Sequence, residues 1–233
     1  LGGLCVPLMA IGLERFGWRY MAILSGVVIL AAGLPLVSLI HHRPSDKGLT
    51  VDGYGQKETG QATTEDKAPI RSFTWREAIK ERSFWLLSTG HSLSLLAVSS
   101  MLAHLIPHLT NSLNYSLRDA SIAFSLMTGL QLIGIFLGGY LGDKYNKQKL
   151  VVFCMLGHFL GLLAIAFASN FFWVVIFAVL HGIAWGIRGP LMVALRADYF
   201  GSKFFGTIMG FSSLIVMIGM TFGPIICGIF YDY

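Results

Sequence analysis

The stretch Gly139–Lys149, GYLGDKYNKQK, decides the reading of this chain. A short knot of polar and basic residues, opened by a glycine, sits between two long apolar runs. Charge is costly inside a bilayer and abundant at its cytoplasmic face. The segment therefore predicts a tight cytoplasmic turn joining two membrane-spanning helices. Its lysines alone would be enough to set that topology.

The rest of the chain agrees. Apolar residues make up 55% of it and charged residues 12%, against about 25% charged in a soluble domain. Mean hydropathy is +0.67. The net charge of +5 lies mainly in loops, with no basic stripe interleaved with aromatics, so a nucleic-acid partner is not expected. Cys5, Cys154 and Cys227 fall in apolar runs without metal-ligand spacing and read as reduced and structural. Zinc-protease, nucleophile-elbow and phosphate-loop patterns are missing from the sequence. No catalytic residue, enzymatic activity, metal or cofactor is expected.

A membrane span needs about 20 apolar residues. Leu1–Leu13 reads as the end of one helix, followed by the turn Glu14–Arg19. It lacks the basic segment and cleavage pattern of a signal peptide, and the chain reads as an internal piece of a longer protein. Spans are predicted over Tyr20–Ile40, Ser83–Leu109, Ala120–Leu141, Leu150–Ala168, Phe171–Leu195 and Gly206–Tyr231. Alternate loops carry thirteen Lys and Arg on one side and three on the other. The rich side, which holds the opening stretch, is cytoplasmic by the positive-inside rule.

Three regions follow. Residues 1–40 close an N-terminal lobe. Residues 41–82 form a cytoplasmic linker whose Pro44–Pro69 part has no apolar period. Residues 83–233 form a C-terminal lobe. Thr74-x-x-Glu77 fits a capping box opening a short surface helix, with Trp75, Ile79 and Phe84 toward the membrane surface. The first helix carries Gly2-x4-Pro7 and the last Gly219-x3-Gly223-Pro224, a faint internal echo.

The spacing Gly139-x3-Asp143-Lys144-x-Asn146-Lys147-x-Lys149 resembles the signature loop of the major facilitator superfamily. Asn146 stands where that pattern has a glycine, and Asn tolerates a left-handed backbone better than other non-glycine residues. The resemblance implies a gate latch, with Asp143 accepting bonds from a neighbouring helix end and the lysines meeting acidic lipid or side chains. Glu14-Arg15-Phe16-Gly17-Trp18-Arg19, Arg43-Pro44-Ser45-Asp46-Lys47-Gly48-Leu49, Ser83-Phe84-Trp85-Leu86-Leu87 and His104-Leu105-Ile106-Pro107 resemble one branch, the bacterial monocarboxylate-transporter-like and oxalate/formate-antiporter-like proteins. This maps the chain onto the end of the fifth helix through the eleventh, with the twelfth absent. The implied fold is an incomplete major facilitator fold, all-α and polytopic. Carriers of that branch hold the substrate carboxylate with a basic residue in the eighth helix. Here Ala120–Leu141 has no charge, and Gln131 is its most polar interior group. Oxalate antiporters of that branch also carry a lysine in the eleventh helix and Gly206–Tyr231 has none, so oxalate exchange is not expected, and the departure bears on a monocarboxylate cargo as well.

Arg188 is the leading binding candidate, about 10 Å along the helix from the cytoplasmic end of its span. His181, Trp185 and Arg188 share one helix face, and Gly182, Gly186 and Gly189 another. The polar-aromatic face would line a cavity in which Arg188 pairs with a carboxylate. The alternative is an arginine that snorkels outward or pairs with Asp198. Gly189-Pro190 and Gly223-Pro224 are hinge or packing points. His91, His104, His108, His158 and His181 lie in spans as structural or proton-coupling histidines. Gly134-x3-Gly138-x3-Gly142, Gly157-x3-Gly161 and Gly206-x3-Gly210 are close-packing faces.

The resulting expectation is a secondary transporter in the plasma membrane, specifically a bacterial inner membrane. Two lobes would rock about a midplane cavity, moving a small organic anion with protons or by exchange, since no ATP site is present. It would act as a monomer in lipid. An exporter of amphipathic drugs keeps the same fold. A non-transporting membrane sensor or scaffold is the alternative of another class.

Overall fold

The computed structural model describes residues 6–38 and 72–232, which hold helices and no strand. The linker over residues 41–71, its resemblance to the branch, and the Gly2 end of the internal echo lie outside the described residues. Among the described residues, six helices are long and apolar enough to cross a membrane. The chain divides into two compact units, one of Ile11–Pro69 and one of Leu1–Ala10 with Ile70–Tyr233.

The helix α1 (Val6–Ser38), which belongs to the smaller unit from Ile11 on, is broken at Gly17, with φ 75° and ψ 167°. Only glycine adopts that backbone freely, and it falls inside the turn expected at Glu14–Arg19. A Cβ on Gly12 would meet Met21 Sδ at 2.5 Å, so the two arms close on each other across the break.

The larger unit contains α2 (Trp75–Ala78), α3 (Arg82–Pro107), α4 (Leu117–Lys144), α5 (Lys147–Ala166), α6 (Phe171–Phe200) and α7 (Phe205–Asp232). Caps mark the helix starts. Thr74 and Glu77 form the expected capping box. Ser116 accepts from the Asp119 amide at 3.1 Å, and Asn170 from the Phe172 amide at 3.1 Å. Each side chain satisfies an amide that the first helical turn leaves open. After Pro107, α3 continues as a π-helical turn, His108–Ser112.

The opening stretch is not a loop. α4 runs through Gly139 and Asp143 to Lys144, and α5 starts at Lys147, so only Tyr145 and Asn146 turn. Asn146 has φ −64° and caps α5, accepting from the Lys149 amide at 3.1 Å. The left-handed conformation expected there is corrected: the side-chain cap, not backbone tolerance, makes Asn fit. Gly139 sits mid-helix with open space around it, whereas Gly142 packs on Leu191.

Three helix pairings build the unit: α4 on α6, α5 on α6, and α3 on α7. The glycine faces explain them, because small residues let backbones approach where lipid gives no hydrophobic drive. A Cβ on Gly138 would meet the Ile187 carbonyl at 2.6 Å, and one on Gly134 the Ile183 carbonyl at 2.6 Å. Gly157 and Gly161 of α5 pack on Ala184 and His181. Gly219 and Gly223 of α7 press on Ser92, Leu96, Ser99 and Ser100. The Ser92 hydroxyl donates to the Ile215 carbonyl at 2.8 Å and accepts from the Gly219 amide at 3.1 Å. Among the described residues Gly206 and Gly210 meet nothing within 4 Å.

Large apolar side chains point outward, as a bilayer solvent requires: Phe136 is 74% exposed and Phe230 80%. The short helix α2 is fastened at the end of α6. The Phe73 amide donates to the Phe200 carbonyl at 3.0 Å, and Trp75 stacks on Phe211 at 4.9 Å. Phe84, expected toward the membrane surface, is instead buried against Phe200.

Candidate functional site

α6 carries the unusual side chains. It continues past Leu195 to Phe200 and is stopped by Gly201 at φ 76°, a left-handed end that favours glycine. Arg188 therefore lies about 18 Å along the helix from Phe200. It is 1% exposed, and its Nε and Nη1 have no hydrogen-bond partner. Asp198, the alternative partner, is held by Lys147 Nζ at 2.7 Å. Among the described residues, no salt bridge involves Arg188.

His181, two turns earlier, is also buried. Its Nδ1 lies 3.1 Å from Nδ1 of His158 on α5, and Phe177 stacks on its ring at 5.1 Å. His158 Nε2 is buried and unpartnered. Cys154, one turn before His158, is buried as well. These side chains and His91 of α3 lie within electrostatic range of the Arg188 guanidinium.

Of the other expected site residues, Trp185 is half-buried and packs on the apolar core of Leu105, Met127 and Phe177. Gln131 is half-buried on α4, its carbonyl oxygen close against Gly186. Pro190 lies inside α6 and packs against Gly138, while Gly189 meets nothing within 4 Å. The Pro224 carbonyl accepts from His104 Nε2 at 2.9 Å. Asp143, Lys144 and Lys149 are exposed. Arg188 and His181 are thus brought together, with Trp185 beside them in the core; the turn residues gather separately at the helix ends.

A second buried arginine escaped the sequence reading, which placed Arg196 in a cytoplasmic loop. Arg196 is 2% exposed and all its bonds go to neutral groups. Its Nε donates to Ser212 Oγ at 2.9 Å, its Nη1 to the Met192 carbonyl at 2.9 Å, and its Nη2 to His91 Nδ1 at 3.1 Å. Ser88 Oγ lies 2.8 Å from Ser212 Oγ. α3, α6 and α7 are tied at one point. Gly201 was the signal for this: a helix stopped there includes Arg196.

Two cavities are found among the described residues, the first away from these groups and the second bordered by Cys154. One, of about 370 Å³, is lined by Met101, His104, Leu105, Leu162, Cys227 and their neighbours. The other, of about 350 Å³, is an apolar hollow between α5 and α6.

Chemically, the interior offers a guanidinium with unpartnered donors in a water-poor setting. Such a group binds carboxylates strongly through paired N–H bonds.

The family model of the Major Facilitator Superfamily matches residues 92–233. Curated relatives agree. An uncharacterized MFS-type transporter, YqjV of Bacillus subtilis (strain 168), is 23% identical over 61% of this chain and 35% of its own length. The multidrug resistance protein B homolog of Mycobacterium tuberculosis (strain CDC 1551 / Oshkosh) is 30% identical over 39% of this chain and 17% of its own. The class H tetracycline resistance protein of Pasteurella multocida is 26% identical over 55% and 33%. The chain thus spans at most about a third of the length of these relatives. No solved structure matches. The glycine-seamed bundle of spanning helices and the matched family model lead to one conclusion: this chain belongs to the Major Facilitator Superfamily.

Proposed function

We propose that this chain is the C-terminal lobe, with the end of the N-terminal lobe, of a secondary transporter in a bacterial inner membrane. It moves a small monocarboxylate-like anion by alternating access. The branch resemblance of the turn and linker residues supports that cargo. The observation that carries it is Arg188, buried with two unpartnered donor nitrogens and no salt bridge among the described residues. An uncompensated buried charge costs several kcal/mol. An anionic substrate would offset that cost each time it binds. Arg188 is then the anchor, and His181 and Trp185 shape its surroundings. The turn pair Lys147–Asp198 would serve the gate at the cytoplasmic end.

The drug-resistance relatives favour a second reading, an exporter of amphipathic solutes with the same fold. The uncharged interior of α4 is compatible with it.

Full-length protein in proteoliposomes separates the two. Labelled lactate, pyruvate and formate are offered with and without a pH gradient, beside an Arg188→Gln variant checked for folding. Uptake that Arg188→Gln abolishes supports the anion carrier. A folded protein that moves none of the acids moves the exporter to first place.

A further inference from the structure

The two buried histidines beside Arg188 have a fixed proton capacity. Their Nδ1 atoms face each other at 3.1 Å, so one must carry hydrogen and the other must not. A neutral imidazole has a single N–H. The donor ring therefore has a bare Nε2, and the acceptor ring carries its hydrogen on Nε2. One further proton fits on the bare Nε2 without disturbing the bond between the rings. Another would put hydrogen on both Nδ1 atoms and drive them apart. The pair has room for a single proton, and His158 Nε2 is buried without a partner.

Among the described residues, the titratable groups around the pair and Arg188 are few. α5 contributes Cys154, and α6 contributes Arg188, with Arg196 farther along. α3 contributes His91, held by Arg196. Between Ala120 and Tyr140, α4 has no charged residue, and neither has α7 between Phe205 and Phe230. The lasting charge near the pair is thus positive. A proton on the imidazoles beside a bare Arg188 would set two cations together without a counter-ion. An anion at Arg188 removes that objection.

We propose that the His158–His181 pair is a proton-binding site filled together with the anion at Arg188, so that one proton travels with each monovalent anion. This rests on the anion reading given above. The proton comes from water on the open side, bonds to the free Nε2, and leaves by the same atom on release. The charges balance: the empty site carries the guanidinium alone, and the loaded site carries guanidinium, anion and imidazolium. Both forms have the same net charge, so loading leaves the carrier's charge unchanged.

The test uses full-length protein in detergent, lightly buffered with a pH-indicator dye and titrated with lactate, pyruvate and formate. Calorimetry on the same sample reads anion binding. Expected are about one proton taken up per anion bound by the unmodified protein, and none per anion bound by His158→Gln or His181→Gln, with calorimetry fixing how much anion each variant binds. Arg188→Gln loses both signals. Anion binding without proton uptake overturns the proposal and leaves the carrier reading standing, as does uptake that persists in both histidine variants. A protein that binds none of the acids removes the anion reading, and the proton site with it. Two histidine variants are used so that aggregation of one, seen by size exclusion, leaves the other to decide.

Discussion

Arg196 Nη2 donates to His91 Nδ1 at 3.1 Å, binding α6 to α3 through a cation that meets only neutral acceptors. An arginine can only donate, so the hydrogen of His91 sits on Nε2. With the bonds to Ser212 and Met192, this guanidinium is satisfied although no acid neutralises it. Arg196→Ala leaves Ser212 and His91 without their donor. It is expected to cost about 3 kcal/mol, since hydrogen bonds to charged groups contribute about 1.5–3 kcal/mol each. Thermal unfolding in detergent, read as the midpoint shift, checks this, and His91→Ala should give a smaller loss.

Arg188 should behave in the opposite sense. Its Nε and Nη1 lack partners, so Arg188→Met removes a desolvation cost and breaks no bond at those atoms. The variant is expected to be as stable as the parent or more so, by about 1–4 kcal/mol, while anion transport is lost. A destabilised Arg188→Met would show that the guanidinium has a structural role after all.

Gly138 and Gly139 are neighbours with opposite requirements. A Cβ at Gly138 would meet the Ile187 carbonyl at 2.6 Å, whereas one at Gly139 meets nothing within 4 Å. Gly138→Ala is expected to cost about 1–3 kcal/mol by overpacking the α4–α6 seam. Gly139→Ala should gain about 0.5–1 kcal/mol from helix propensity. Denaturation of the two variants side by side reads the difference, and equal effects would contradict the seam.

Asn146 contributes through its side chain. Asn146→Ala should cost about 1 kcal/mol and Asn146→Gly only a few tenths. A larger loss in Asn146→Gly than in Asn146→Ala would mean the cap is not what holds the turn.

The pair Lys147–Asp198 is partly exposed, at 28% and 50%. A double-mutant cycle is expected to give a coupling of about 0.2–1 kcal/mol that fades as salt rises. A salt-independent coupling of several kcal/mol would show the pair to be desolvated.

Apolar length and caps made most of the architecture legible from residues alone. Gly17, Thr74–Glu77 and the glycine faces of α4 and α5 all fall where their chemistry placed them. Arg188 was legible as a buried cation because the apolar run continues on both sides of it. Arg196 was not, because Arg196, Asp198 and Lys203 together look like a loop. Whether such a charge is buried depends on partners from other helices, His91 more than a hundred residues away among them. The His158–His181 contact was hidden for the same reason: each histidine looked ordinary until α5 and α6 were packed together. Gly206 and Gly210 meet no described residue; spacing shows that a face is small and cannot show which helix lies against it.

α6 carries both arginines and His181, and it is also the helix on which α4 and α5 rest. Its faces are therefore nearly all committed. A larger side chain has little room there, because one at Gly182 or Gly186 strikes a neighbouring backbone. The serine face of α3 is committed in the same way, since Gly219 and Gly223 of α7 press on Ser92, Ser99 and Ser100.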